Sequence, residues 1–285
     1  MKPIIKFLAI YRYSEKYPIT VMCKFFDVSR SGYYDYVKRM DKPNKDETLV
    51  QRIGDCQERC HKTYGYRRVQ IWLQRELGQR VNHKAVLRIM NKYGLLSEIR
   101  RRKKYKQCGQ QIHKYANLLN RDFYADKPNQ KWVTDISYVH TSQGVLYLSI
   151  IRDLFDKSIV AYKTGTEQTV NLVLETIKAA KRKEEVTAEL QLHSDQGFQY
   201  TSSGYFNLTK EYGITPSMSR RGNCYDNACA ENFFGIIKSE CIYRTKPRTF
   251  AEARQLIDDY IYFYNYERIQ LKTKLTPIEK RCQLA

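Results

Sequence analysis

Hydrophobic and polar residues follow different periods in the two halves of the chain. In the segment 67–77 the apolar residues fall roughly on one helical face. Gly78 ends this helix, and Asn82 can cap a following helix that stops at Gly94. After Pro128 the helical period gives way to runs typical of strands. The pattern therefore predicts an all-helical first part followed by an α/β part.

A first helical pair precedes this one. Residues 18–26 predict one short helix, Asp27 and Val28 a turn, and Ser29 can cap a second helix. A short helix, a tight turn and another short helix is the arrangement that places a helix in the DNA major groove. A purely structural role is the alternative for each pair. Basic surface residues favour DNA binding, and Arg67 and Arg68 are the candidate contacts in the second pair.

Strands dominate the segment from residue 131 to residue 165, and helices and strands alternate after it. Three strands in series followed by this alternation predict a mixed sheet flanked by helices. The predicted strands are 131–139, 144–151, 158–165 and 189–194, and the predicted helices are 169–183 and one from about Thr201.

Charge adds a partner to this picture. The 285 residues include 50 Lys and Arg against 30 Asp and Glu, a net charge of +20, which points to nucleic acid. Residues 99–107 contain six basic residues and no acidic one, so they predict either a solvated linker or a DNA anchor. The candidate DNA contacts in this run are Arg100, Arg101, Arg102, Lys103 and Lys104.

Other classes of protein fit the sequence poorly. It contains no apolar run of about 18 residues, as a membrane helix would need, and its N-terminus lacks a signal-peptide cleavage site. The eight scattered cysteines are interpreted as free thiols of a cytoplasmic protein. With DNA as the partner, we expect a location at the bacterial nucleoid.

Three carboxylates stand out against these elements. Asp135 lies in the middle of a predicted strand, where Asp is disfavoured, Asp195 lies at the end of another strand, and Glu231 lies on a predicted helix over 226–238. Each alone has an ordinary structural interpretation. Together they could meet at one edge of the sheet as a set of hard oxygen ligands suited to Mg²⁺.

Phosphodiester chemistry gives such a set a purpose. Two metal ions about 3.5–4 Å apart can activate the attacking hydroxyl or water and stabilise the leaving oxygen. We therefore expect two Mg²⁺ ions held by Asp135, Asp195 and Glu231, with Mn²⁺ as a substitute.

The spacing and flanking motifs make the resemblance specific. Asp135 and Asp195 are separated by 59 residues, and Asp195 and Glu231 by 35. Together with the motifs WVTDISY, HSDQGFQYTS and NACAENFFGIIKSE, this spacing resembles the DDE catalytic core of the insertion-sequence-three family of bacterial transposases. The chain resembles the subunit that the second reading frame of such an element encodes. The resemblance implies a ribonuclease-H-like fold similar to that of retroviral integrases, with the three acids as metal ligands. It also implies that Lys238, two turns beyond Glu231, lies near the DNA end.

The resemblance covers nearly the whole chain. VSRSGYY at 28–34, YGYRR at 64–68 and the segment 264–281 also match family motifs. Gln270 departs from the family, where many relatives carry His, so Tyr264 and Arg268 are interpreted as packing or DNA contacts rather than as chemical groups.

Residues 216–226 are basic and without clear periodicity, and we predict a flexible loop over the active site. Arg220 and Arg221 in this loop could grip phosphate, with a merely mobile loop as the alternative.

Four parts are predicted: a helical DNA-binding region of helix-turn-helix type (1–98), a basic linker (99–127), a ribonuclease-H-like core (128–245), and a C-terminal helix and tail (246–285). The resemblance implies cleavage at the terminal inverted repeats of an insertion sequence, and attack of the 3′-hydroxyl on target DNA.

The resemblance also implies several partners. The chain would act on double-stranded DNA as a homo-oligomer. An upstream-frame protein with a helix-turn-helix and a leucine zipper would be a separate partner or a fusion. Two alternatives are a non-catalytic DNA-binding regulator and a ribonuclease-H-like nuclease. The regulator would not need the three acids, which are all present. The nuclease would not need the long basic N-terminal half.

Overall fold

The protein is described by a computed structural model over residues 3–40, 46–98, 115–184, 189–220 and 224–283. The predicted basic anchor and Arg221 lie outside these described residues. The chain divides into two compact units, residues 1–52 and 53–285.

The first unit contains the helices α1 (Pro3–Tyr13), α2 (Ile19–Phe25) and α3 (Arg30–Met40). They pack around a small core that includes Ile10 and Tyr33. The predicted turn is present, because Asp27 has a positive φ of 50°. The Ser29 hydroxyl accepts a hydrogen bond from the Gly32 backbone N–H at 3.1 Å, as expected of a helix cap.

Helix α4 (Glu47–Arg59), which the sequence pattern did not predict, spans the division between the units. It is followed by α5 (Tyr66–Leu77) and α6 (His83–Lys92), close to their predicted bounds. Gly78 adopts the left-handed conformation at the end of α5, and the Asn82 side chain caps α6 by accepting a hydrogen bond from Lys84 N.

Helix α5 and the segment just before it are bonded to the C-terminal segment of the second unit. The Tyr64 hydroxyl donates to the Glu267 carbonyl at 3.0 Å, and Arg75 Nη1 donates to the Lys274 carbonyl at 3.0 Å. Residues 53–98 therefore belong to the same compact unit as the sheet. The predicted domain boundary after residue 98 stays a prediction.

The predicted mixed sheet is confirmed, with five strands in the order β3-β2-β1-β4-β5. Strands β1, β2 and β3 pair antiparallel, and β4 and β5 extend the sheet in parallel from β1. The strands are β1 (Lys131–Thr141), β2 (Gly144–Asp153), β3 (Ile159–Gly165), β4 (Gln191–Ser194) and β5 (Thr215–Met218).

Strand β5 corrects the prediction of a flexible loop from residue 216. Residues 216–218 continue the sheet because their backbone pairs with β4, and Ser217 and Met218 are buried. The sequence pattern missed this strand because four residues beginning at a Thr-Pro pair resemble a turn more than a strand.

Helices cover both faces of the sheet. Trp132 packs in a core with Val173 of α7 (Val170–Lys183) and Tyr205 of α8 (Ser203–Glu211). Val133, the next residue along β1, packs with Ala230 of α9 (Ala228–Ile237). Successive strand residues point to opposite faces, so α9 lies on the face opposite to α7 and α8. Asp135 shares the parity of Val133 and hence the face of α9.

The chain after α9 forms a π-helical turn and three further helices. The π-turn (Lys238–Ile242) continues directly from α9, in place of the end predicted at Lys238. It is followed by α10 (Tyr243–Thr245), α11 (Phe250–Tyr266) and α12 (Pro277–Cys282).

Candidate active site

Asp135 lies at the centre of the group of carboxylates. It occupies β1, and the Ile136 backbone N–H donates to its Oδ1 at 2.7 Å. It retains some solvent exposure, but protein atoms crowd its carboxylate. This desolvation raises the pKa of Asp135 well above its usual range, and the charges of Asp195 and Glu231 raise it further, against the opposing charge of Lys238. The effect of these charges indicates that all three groups lie near Asp135.

Asp195 follows β4, the parallel neighbour of β1. Its Oδ1 accepts a hydrogen bond from Gly197 N at 2.8 Å, and burial raises its pKa. A Cβ at position 197 would lie 2.9 Å from this oxygen, so only glycine leaves room for the turn. A side chain at position 197 would therefore displace the Asp195 carboxylate.

Glu231 lies on α9, which is attached to β1 just before Asp135. Asn227 Nδ2 donates to the Thr134 carbonyl at 3.3 Å, and Ala230 packs against Val133. These contacts bring the first turn of α9, and Glu231 with it, over the strand that carries Asp135.

Lys238 lies near Asp135, and its predicted place at the DNA end stays a prediction. Its Nζ lies 4.4 Å from the centre of the Tyr138 ring, a cation–π contact. Burial lowers the pKa of Lys238, and the charge of Asp135 opposes this shift. The Lys238 ammonium group is therefore held beside this set of carboxylates.

The donor atoms suit a hard divalent cation, since they are all carboxylate oxygens. Two of the acids are crowded and repel each other, and a bound cation would relieve this. Within the residues that the structure describes, no three His, Cys, Asp or Glu side chains are arranged around one ion position. Asp135 is the acid whose carboxylate is influenced by both of the others, so it is the candidate ligand common to them.

Arg220 is fixed by an internal partner. Its Nε and Nη2 donate to the Asp226 carboxylate at 3.0 and 3.2 Å, and its backbone N–H donates at 2.9 Å. The side chain remains 53% exposed. Arg220 is therefore anchored to Asp226 rather than part of a merely mobile loop, and its predicted grip on phosphate stays a prediction.

The other predicted DNA contacts have different placements. Arg67 is exposed, whereas Arg68 Nε donates to the Ile269 carbonyl at 3.0 Å. That bond, rather than DNA, accounts for the position of Arg68. Arg100, Arg101, Arg102, Lys103, Lys104 and Arg221 lie outside the described residues, so their DNA contacts stay predictions.

The C-terminal residues Tyr264, Arg268 and Gln270 pack internally. The Arg268 Nε and Nη2 donate to the buried Glu240 carboxylate at 2.8 and 2.6 Å. The Tyr264 hydroxyl accepts from Arg152, and Gln270 Nε2 donates to the Asp156 carbonyl at 2.6 Å. The packing interpretation of Tyr264 and Arg268 is the one that these contacts support.

Sequence reasoning missed several residues that position the site. His193 is buried between the hydroxyls of Ser217 and Ser219, at 2.8 and 3.1 Å, and so links β4 to β5 beside Asp195. Asp226 and Asn227 anchor the start of α9. A polar Asp-Asn pair just before an apolar helix was a local signal for such an anchor, but their partners lie about a hundred residues away in sequence.

Models of known protein families match most of the chain from residue 43 onward. Residues 125–224 and 231–284 match integrase core domains, and residues 43–103 match an HTH-like domain. The described part of the chain contains no helix long and apolar enough to cross a membrane.

Curated relatives share the sequence over most of its length. The InsK protein for insertion sequence element IS150 of Escherichia coli is 40% identical over 94% of each chain. The transposase InsF for insertion sequence IS3A of Escherichia coli is 31% identical over 84% of each chain.

A solved structure shares the fold. The simian T-cell lymphotropic virus intasome in complex with a PP2A regulatory subunit contains a chain with a TM-score of 0.50 and 14% identity, over 80% of this chain and 74% of that one. With these relatives, the chain belongs to the insertion-sequence-three family of DNA transposases and carries an integrase-type polynucleotidyl transferase core.

Proposed function

We propose that Asp135, Asp195 and Glu231 form the catalytic centre of this transposase, which cleaves the terminal inverted repeats of its insertion sequence and joins the 3′-hydroxyl ends to target DNA. The observation that carries the proposal is geometric: Asp195 follows β4, the parallel neighbour of the strand that carries Asp135, and the helix that carries Glu231 is bonded to that same strand. The three acids lie far apart in the sequence. The elements that carry them are neighbours only in the folded chain.

The same three acids would hold two Mg²⁺ ions, for which Mn²⁺ can substitute. Asp135 would share one ion with Asp195 and the other with Glu231. Bound there, the ions supply Lewis acidity to the attacking and leaving oxygens of the phosphodiester. The protein residues would hold the carboxylates close together, and the positive charge of a bound cation would favour their deprotonated form.

Lys238 would contact the DNA end beside the centre. Its ammonium group is held over Tyr138 and close to Asp135, so it can offset phosphate charge next to the scissile bond. Arg67 and the basic run of residues 100–104 would supply further contacts to the duplex, which strengthen binding through counterion release.

The working assembly would contain more than one copy of the chain on DNA. We propose that an upstream-frame protein with a helix-turn-helix and a leucine zipper joins it, as a partner or as a fusion. Because the substrate is DNA, the site of action would be the bacterial nucleoid in the cytoplasm.

Nicking and joining of labelled, pre-nicked end duplexes with Mg²⁺ or Mn²⁺ tests the centre. Glu231→Gln keeps the size of the side chain but removes a ligand charge, and we expect joining to fall at least a hundredfold, on the order of losing one main electrostatic contributor. Glu175→Gln on α7, where Glu175 pairs with Lys178, is the matched control and should join normally. Equal joining by wild type and Glu231→Gln would refute the assignment.

If the wild-type chain is silent, the same comparison in a fusion with the upstream-frame protein separates a missing partner from a dead enzyme. Degradation of an RNA–DNA hybrid without joining would instead indicate a nuclease.

A further inference from the structure

Two arginines from distant parts of the chain meet at one buried carboxylate. Arg121 Nε lies 2.9 Å from Asp226 Oδ1, and Arg220 Nε lies 3.0 Å from Asp226 Oδ2. The Asp226 side chain is 0% exposed, whereas the arginines are 47% and 53% exposed. Each guanidinium therefore has one edge on the carboxylate and another part facing solvent.

The charges of this cluster do not cancel. Two guanidinium groups share one carboxylate, which leaves a local charge of about one positive unit at the surface. The nearest acid in sequence, Asp122, is bonded to Lys131 at 2.7 Å and so does not neutralise Arg121. Burial opposes ionisation of Asp226, but its bonds to Arg220 and Arg121 hold its pKa below the usual range, so it stays charged.

The backbone holds Arg121 in place. Asn120 and Arg121 both have positive φ values, 41° and 65°, a conformation that side-chain-bearing residues rarely adopt. Asn117 supports this turn, because its Oδ1 accepts from Asn120 N at 2.8 Å and its Nδ2 donates to Asp226 at 2.9 Å. Side chains fixed in advance lose less entropy when they bind a ligand.

An exposed aromatic ring completes the surface. The Arg121 guanidinium lies 5.7 Å from the centre of the Tyr225 ring, which is 69% exposed. Asp226 lies five residues before Glu231, and the adjacent Asn227 is bonded to the strand that carries Asp135. The cluster is thus attached to the start of the catalytic helix.

We propose that Arg121 and Arg220 form a fixed clamp for a phosphate of the DNA backbone beside the catalytic centre, with Asp226 as the residue that orients both. Guanidinium groups match phosphate oxygens in geometry and charge, and a pair held about one carboxylate presents two donor edges to one anion. This inference rests on the proposed function, since it places DNA at the centre. The phosphate can belong to the insertion-sequence end or to target DNA.

The salt dependence of DNA binding tests the clamp. We would measure fluorescence anisotropy of a labelled duplex over a series of KCl concentrations for the full chain, Arg121→Gln and Arg220→Gln. Each substitution should make the slope of log K against log [KCl] shallower by about one. The matched control is Lys178→Gln, since Lys178 is 42% exposed and also paired to a carboxylate, and its slope should equal that of wild type.

A purely internal role would give a different result. Loss of an anchor would lower the unfolding temperature but leave the slope unchanged, and wild-type slopes in both arginine variants would overturn the clamp. If a glutamine variant unfolds, Arg121→Lys and Arg220→Lys replace it. Lysine keeps the charge but lacks the two-edged geometry. For these lysine variants, a salt-dependence slope equal to that of wild type together with weaker DNA binding supports the clamp. DNA binding as tight as that of wild type contradicts it.

Two duplexes identify the source of the phosphate. If the slope changes only with a duplex that carries the insertion-sequence end, the clamp binds that end. If the slope also changes with an unrelated duplex, the clamp binds DNA in general, including target DNA. Both outcomes support the clamp. Binding is measured without catalysis, so failure of the wild type to join DNA would count against the proposed function and not against the clamp.

Discussion

At the scale of single residues, the proposed catalytic centre depends on small backbone features as much as on its acids. Gly197 donates to Asp195 Oδ1 and leaves the space that this carboxylate occupies. The Ile136 backbone N–H likewise donates a hydrogen bond to Asp135 Oδ1. Charged side chains in a desolvated setting need such donors, because an unpaired buried charge is expensive.

Gly197→Ala should reduce strand joining about tenfold or more without unfolding the protein, because misplaced catalytic groups can cost this much. The new Cβ would lie 2.9 Å from Asp195 Oδ1 and 3.0 Å from Gln199 Oε1, so the carboxylate must move. Single-turnover joining and thermal unfolding measure the two effects.

Gly54→Ala is the control for this substitution. Gly54 lies within α4, and an added Cβ there meets nothing within 4 Å. It should join normally and gain about 0.5–1 kcal/mol of stability, because alanine favours helices. Normal joining by Gly197→Ala would show that Asp195 is not held by this turn.

Lys157 predicts a pH dependence of stability. Burial lowers the pKa of Lys157 to about 8, and its Nζ donates to the carbonyls of Phe123 and Leu154. The unfolded chain keeps its proton up to the ordinary lysine pKa, so between these values the unfolded state binds more protons and stability rises with pH. Below pH 8 Lys157 is charged in both the folded and the unfolded state, and the folded state bears the full free-energy cost of burying that charge.

The free energy of unfolding should therefore rise by about 2 kcal/mol more in wild type than in Lys157→Met between pH 8 and pH 10. Urea unfolding over this pH range measures the difference. Parallel pH profiles for the two proteins would contradict a desolvated Lys157.

At the scale of secondary-structure elements, the helix that carries Glu231 is anchored at both ends. Asp226 and Asn227 hold its start. At its end, the π-turn presents Glu240 to Arg268 beyond α11, and the Tyr260 hydroxyl donates to the same carboxylate at 2.6 Å. π-Helical turns are frequent at functional sites, and here the turn begins at Lys238, which lies near Asp135.

Arg268→Met should destabilise the protein by about 3–5 kcal/mol, because it leaves Glu240 charged and buried. Glu240→Leu combined with Arg268→Met should recover much of this loss, since no unpaired charge remains. Chemical unfolding of the two single variants and the double variant gives the interaction energy. Strictly additive losses would mean that the pair contributes nothing of its own.

Sequence reasoning succeeded where the signal was local. Asp135 was identifiable because an Asp interrupts a strand pattern, and α5 and α6 because Gly78 and Asn82 mark their ends. Strand β5 was missed because its pairing with β4, rather than its own residues, makes it a strand. The partners of Asp226 were equally invisible, since Arg121 and Arg220 approach it only in the folded chain.

At the scale of the whole molecule, the second helical pair and the catalytic core form one compact unit. Arg281 on α12 strengthens this unit by ion pairs to Asp153 and Asp156 near the end of β2, at 3.0 and 2.7 Å. The C-terminal segment therefore bonds both to the sheet region and to helix α5.

A fragment of residues 53–285 should be more stable than a fragment of residues 115–285. Removing residues 53–114 leaves the C-terminal segment without Tyr64, Arg68 and Arg75, whose bonds it accepts. We expect a difference of several kcal/mol, at about 1 kcal/mol for each hydrogen bond plus the lost apolar contacts. Equal stability of the two fragments by urea unfolding would instead support an independent domain boundary at the predicted linker.

The most direct test of the three-carboxylate centre counts bound metal ions. Electron paramagnetic resonance of Mn²⁺ would be measured for the protein on an end duplex. Wild type should bind about two ions, Asp195→Asn and Glu231→Gln about one each, and Asp135→Asn none, because Asp135 is shared by both pairs. An Asp135→Asn protein that still binds two Mn²⁺ ions would contradict the assignment of this centre.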